Sequence, residues 1–187
     1  LASSSPRRLA LLRQAGLEPR LEQPDLDEAP LPREQPRAHA LRLAEAKSAV
    51  VRARLGPEPA FVLAAAAVVA CGRRILPKPQ DVAEAERCLR LLSGRRHRVY
   101  TGVVVSAPGG RAARVVMTTV ELKRLDAEEL AAYLASGEWH GKAGGYAIQG
   151  HAEAWVRSIN GSYSNVVGLP LAVTLDLMRG LGWRLSG

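Results

Sequence analysis

Residues 99 to 122 constrain the fold of this chain more than any other stretch. Val99, Thr101, Val103 and Val105 alternate with the period of a half-buried strand. Pro108-Gly109-Gly110 turns the chain, and residues 113 to 122 carry it back. The result is a long hairpin, and a hairpin is not stable in water until other strands or helices cover its apolar face. The rest of the sequence must therefore supply that cover.

It does so with alternating helices and strands. Ser5-Pro6 reads as an N-cap with proline in the first turn, followed by an apolar face of Leu9, Leu11, Leu12 and Ala15 that stops at Gly16. Leu41, Ala44, Ser48, Val51 and Leu55 recur at steps of three and four, so a second helix runs from roughly 35 to 55 and closes at Gly56-Pro57. Residues 61 to 69 mix alanine, the best helix former, with β-branched valine; their short run and the Cys71-Gly72 turn favour a buried strand. Val82, Ala85, Leu89 and Leu92 mark a third helix ending at Gly94. Asp126 and Glu129 open a fourth with a capping box, which runs to Gly137. A glycine-rich loop from 137 to 150 precedes a strand near 154 to 159, Asn160-Gly161 turns, and Leu169-Pro170 opens a last helix to about Leu181. The expected class is α/β, with a mixed central sheet flanked by helices.

Pro24 to Pro36 is a proline-rich acidic loop, but no linker or repeat divides the 187 residues, so one domain spanning 1–187 is expected. The longest apolar run, Ala60 to Cys71, is far short of the roughly 20 residues a membrane helix needs. Cys71 and Cys88 have neither disulfide-framework nor zinc spacing, which fits a reducing cytoplasm. The net charge is +8, and four of the basic residues are lysines against 22 arginines. Guanidinium forks match phosphate oxygens, so an anionic partner is expected, whether nucleic acid or nucleotide.

Three segments carry candidate chemistry. Ser3-Ser4-Ser5-Pro6-Arg7-Arg8 gathers hydroxyls, free backbone N–H groups and two guanidiniums at a helix N-terminus, where the dipole favours an anion by about 0.3–1 kcal/mol. The same residues would also make an ordinary helix start with two solvated arginines. Lys78, fixed between Pro77 and Pro79, suits a point contact to phosphate, or a rigid surface turn. In Gly141-Lys142-Ala143-Gly144-Gly145-Tyr146-Ala147-Ile148-Gln149-Gly150 the glycines allow close backbone approach, and the Gln149 amide can read a base edge. His39, His97, His140 and His151 lack metal spacing and read as structural or surface residues; no nucleophilic triad is present.

Leu1 to Arg8, Ala44-Glu45-Ala46-Lys47, Lys78-Pro79, Leu92-Ser93-Gly94 with His97 and Tyr100-Thr101-Gly102, Lys142-Ala143-Gly144, Ile148-Gln149-Gly150 and Asn165 to Pro170 together resemble the Maf family, in the family's order over nearly the whole chain. The resemblance implies a nucleoside triphosphate pyrophosphatase that cleaves between the α- and β-phosphates with Mg²⁺ or Mn²⁺. It also implies an elongated inosine-triphosphatase-like fold with the nucleotide between two lobes, often as a homodimer. Carried over, Ser3, Arg7 and Arg8 resemble the phosphate-binding loop, with Arg7 also tied to substrate choice. Glu28 resembles the metal-holding acid, and Lys47 and Lys78 the two lysines that meet the triphosphate. Gln149 resembles the subfamily acting on dTTP and UTP.

One departure bears on chemistry. The family writes Gly-Ala-Asp-Thr-Val-Val where this chain has Ala64-Ala65-Ala66-Ala67-Val68-Val69. Ala66 takes the place of the catalytic aspartate, and Ala67 that of a threonine linked to substrate choice. A methyl group neither accepts a proton nor binds a cation, and loss of a general base typically costs about 10²–10⁴-fold in rate. Asp27 and Asp81 have no neighbours that would place either at an attacking water. Gly141 also departs, standing where many members have aspartate. Three readings follow: a dTTP/UTP pyrophosphatase weakened or silenced at Ala66; a silent nucleotide-binding regulator linked to cell division; and a nucleic-acid-binding module. Against the last stand an aromatic content of 4% and the lack of any base-reading basic helix or RNA-binding motif.

Overall fold

A computed structural model describes residues 1–184. The hairpin is its centre. β3 (Arg96–Ala107) and β4 (Gly110–Leu122) pair along their whole length, from Arg96 opposite Glu121 to Ala107 opposite Gly110. β1 (Val62–Cys71) adds to the free side of β3, and β2 (Arg74–Leu76) folds back on β1 through the Cys71-Gly72 turn. β5 (Val156–Asn160) pairs with β4, giving the order β2-β1-β3-β4-β5. Every named strand pair is antiparallel; the parallel part of the expected mixed sheet is a single bridge between Ala2 and Ala64. Nearly all of β1 is buried, which is why its sequence reads as a continuous apolar run rather than an alternation.

Helices cover both faces. α2 (Pro36–Leu55) packs Leu43, Ala44 and Val51 onto Ala64, Ala66 and Val104. It lies unusually close to β3: a Cβ on Gly102 would sit 2.2 Å from the Ala40 carbonyl oxygen, so only glycine fits there. The expected stripe faces the sheet: Ala44, Ser48 and Val51 are buried and Leu41 and Leu55 are half-buried against the same core, while Ala40, Leu43 and Lys47 widen the buried face. On the other face, α1 (Pro6–Gln14) and α6 (Leu171–Gly180) bring Leu11, Leu12 and Met178 against Ala65, Val103 and Val105. α3 (Val82–Leu92) and α4 (Ala127–Ser136) build a second core there with Val69, Val99, Val120 and two tryptophans, Trp139 and Trp155.

The capping box at Asp126 and Glu129 is present, and Gly137 closes α4 in the left-handed conformation. Ser5 occupies the N-cap of α1, but its side chain makes no cap bond. The last strand starts later than expected, at Val156, because residues 151–155 form a 3₁₀ turn that buries Ala152 and Trp155. Two short elements carry no readable pattern: β2, at three residues, and α5 (Tyr163–Val167), at five. Among the described residues no helix is long and apolar enough to cross a membrane.

Candidate active-site cleft

All nine residues assigned to a site from the sequence line one cleft of about 490 Å³. Its floor begins at the chain start. Ala2 donates its N–H to the Leu63 carbonyl at 2.8 Å, which fixes Ser3 beside β1. Ser3 Oγ then accepts from the Ser5 backbone N–H at 3.1 Å and from Arg8 Nη1 at 3.0 Å, while Arg8 Nε donates to the Gly168 carbonyl at 2.8 Å. Arg8 is thus a buried strut joining α1 to the end of α5. Burial lowers its pKa to about 10, with Glu28 pulling up and Arg7 pushing down, so it keeps its charge at neutral pH. Ser3 serves this strut. Arg7, half-buried and free of side-chain hydrogen bonds among the described residues, faces the cleft instead.

Two more cations converge from different elements. Lys47 is buried on the inward side of α2, and Lys78 stands exposed between its prolines. Both ammonium groups close on one carboxylate: Lys47 pairs with Glu28 Oε1, and Lys78 with Oε2 at 2.5 Å. Burial pushes the Glu28 pKa up, but Lys47 and then Lys78 outweigh it and hold it at about 2. Burial also pushes Lys47 down, against the pull of Glu28. Among the described lining residues Glu28 is the one carboxylate. Asp27 and Asp81 lie elsewhere, capping the Ala29 and Glu84 backbone N–H groups.

Ala66 and Ala67 form part of the cleft wall on β1. Ala66 is 2% exposed and packs with the α2 residues that flank Lys47; Ala67 is half-buried. Neither supplies a polar side-chain atom.

The glycine-rich loop is built differently. Gly144 and Gly145 both have positive φ, and the Gly144 N–H donates to the Pro77 carbonyl at 2.8 Å, tying this loop to the arm that carries Lys78. A Cβ on Gly144 would meet Val69 Cγ1 at 2.9 Å, so the loop is seated directly on β1. Tyr133 of α4 accepts the Ala147 N–H at 3.1 Å, and Tyr146 Oη is hydrogen bonded to His97 Nε2 of β3 at 2.6 Å. Burial raises both phenols, Tyr133 to about 12, and lowers His97 to about 4, so all three are neutral at pH 7. Gln149 follows, exposed at the rim. Sequence reasoning leaves out Tyr146 and Lys142 as site residues, although both sit in the glycine-rich segment it singles out. His140, read as structural or surface-exposed, is exposed and also lines the cleft.

The donor set does not fit a resident divalent ion. Mg²⁺ and Mn²⁺ need oxygen ligands. Both Glu28 oxygens are taken by ammonium groups, position 66 offers a methyl, and no group of three His, Cys, Asp or Glu side chains comes together among the described residues.

A helix-covered antiparallel sheet with a cleft lined by Arg7, Arg8, Lys47, Lys78 and Lys142 defines an α/β protein with a strongly cationic pocket. The chain belongs to the Maf family: the model for Maf-like protein matches residues 1–181. Among its relatives, a protein of Paramagnetospirillum magneticum named dTTP/UTP pyrophosphatase is 60% identical over 98% of this chain and 96% of its own length. Proteins of the same name from Caulobacter vibrioides and Mesorhizobium japonicum are 56% and 53% identical, over 98% and 99% of this chain and 95% and 92% of their own lengths.

Proposed function

We propose that this chain is a dTTP/UTP pyrophosphatase by construction, with its nucleotide-binding half intact and its turnover weakened at Ala66. The carrying observation is that Lys47 and Lys78 meet on Glu28 in a cleft that Arg7 and Gln149 also line. In the reaction, water attacks the α-phosphorus, the bond to the α–β bridging oxygen breaks, and pyrophosphate leaves with that oxygen. The nucleoside monophosphate and one proton are the other products. Arg7, Lys47 and Lys78 hold the phosphates and stabilise the charge that grows on pyrophosphate. Arg8 anchors α1, the helix on which Arg7 stands, to Ser3 and Gly168. Gln149 reads the base edge with its amide. The missing function is water activation, which the methyl of Ala66 cannot perform. A Mg²⁺ or Mn²⁺ ion is proposed to arrive on the nucleotide's own phosphates rather than to be held beforehand by the protein. The two free thiols fit a cytoplasmic setting.

Ala66 favours a second reading as well, a regulator that reports nucleotide by binding it. The test is pyrophosphate release from dTTP and UTP, for this chain beside the double variant Ala66→Asp, Ala67→Thr. A gain of about 10²–10⁴-fold in the variant is expected. Equal rates would mean that another group activates water and would overturn the reading; no turnover in the variant, with nucleotide still bound, would favour the regulator.

A further inference from the structure

His97 is an expensive residue where it stands. It is 1% exposed on β3, opposite Val120, and packed against the apolar core beneath the glycine-rich loop. One ring nitrogen, Nε2, reaches Tyr146 Oη at 2.6 Å with the rings edge-on at 5.3 Å; the other, Nδ1, is buried with no hydrogen-bond partner. A leucine would fill such a place without leaving a polar atom unpaired, and sites where a buried polar group is half satisfied are sites where stability has been traded for something else. The residue it holds is informative. Tyr146 lines the cleft and begins Tyr146-Ala147-Ile148-Gln149, the segment that ends in the amide assigned to the base. Two phenols pin this segment: Tyr133 fixes its backbone at Ala147, and His97 fixes the Tyr146 side chain.

We propose that His97 is a positioning residue for nucleobase discrimination: through Tyr146 it sets the wall on which Gln149 is presented, and it has no part in holding phosphate. The inference rests on the proposed nucleotide site. It predicts that damage to the pair separates base binding from phosphate binding, which a general loss of structure would not do.

The experiment compares dTTP with inorganic tripolyphosphate, a probe that has the charges and lacks the base, by calorimetry at pH 7.5. Tyr146→Phe keeps the ring and removes the hydroxyl; His97→Leu removes the other end; His97→Gln restores an amide at about the reach of Nε2. Each of the first two is expected to weaken dTTP about 10-fold while tripolyphosphate changes less than 2-fold, and His97→Gln to recover most of the dTTP affinity. Should His97→Leu not fold, Tyr146→Phe alone decides. Unchanged dTTP binding in Tyr146→Phe, or an equal loss of both ligands, overturns the proposal. If the unsubstituted chain binds tripolyphosphate but gains nothing from the base, the nucleotide-site reading fails first and takes the inference with it.

Discussion

Two parts of the cleft lining solve the problem of order in opposite ways. In one, Lys47 of α2 and the Lys78 arm, held apart by like charge, are drawn together by one carboxylate, Glu28 of the proline-rich loop. In the other, no charge faces inward along residues 146–148: the backbone is seated by glycines, and neutral phenols and an imidazole supply the polar contacts. The first arrangement is adaptable, because long cationic side chains can transfer from a carboxylate to a phosphate. The second is rigid, because its groups are buried and each hydrogen bond fixes a single geometry.

The largest expected effect sharpens this contrast through pH. His97, buried and neutral, has its pKa lowered to about 4, whereas an unfolded chain would protonate it near 6.5. Its contribution is therefore complete above pH 6.5 and lost as pH falls to about 4, a change on the order of 3 kcal/mol. Glu28, held at about 2 against an ordinary 4.5, acts in a lower window: its contribution is present above 4.5 and lost as pH falls toward 2. Unfolding free energies from denaturant titration at pH 7 and pH 4 should fall steeply for this chain and by about 3 kcal/mol less for His97→Gln, which does not titrate. Equal losses in the two proteins would mean that His97 is not held neutral.

A comparable effect is expected from the lysine pair, where Lys47→Met keeps the buried stem and removes the charge. Truncating one member of a desolvated charge pair costs about 2–5 kcal/mol. Both dTTP and tripolyphosphate should weaken by about 100-fold, in contrast to the selective loss predicted for Tyr146→Phe. If Lys47→Met weakened dTTP alone, the division between the two parts would be wrong.

The same division explains what the sequence made legible. Charged and proline-flanked residues announce themselves: Arg7, Arg8 and Lys78 stand in segments whose flanks point to an anion, Lys47 is carried by the family resemblance, and each lines the cleft. The hairpin, the capping box and the glycine ends of the helices are equally readable, being local signals. His97 and Tyr146 are not assigned to the site by sequence, because their meaning lies in a contact 49 positions apart that no local pattern encodes. The bond from Arg8 to the Ser3 hydroxyl is likewise seen only in the folded chain. The close packing of α2 on β3 depends on Gly102, a long-range approach of the same kind.

The smallest effect tests the adaptable part most directly. Glu28 neutralises Lys47 and Lys78 with the oxygens that a metal would need, so it competes with a polyphosphate for the same two ammonium groups. The variant Glu28→Gln keeps the size of the side chain and removes the competing charge. In the presence of EDTA, tripolyphosphate should then bind about 10-fold more tightly, since each ammonium meets the ligand without first breaking an ion pair; ten-fold is about 1.4 kcal/mol, the scale of a partly solvated charge contact. With Mg²⁺ added, the gain should shrink, because magnesium on the ligand screens the phosphates that the freed lysines would meet. A weaker metal-free interaction in Glu28→Gln would show that the carboxylate organises the lysines more than it occupies them, and the lysine pair would then be as preformed as the glycine-rich loop.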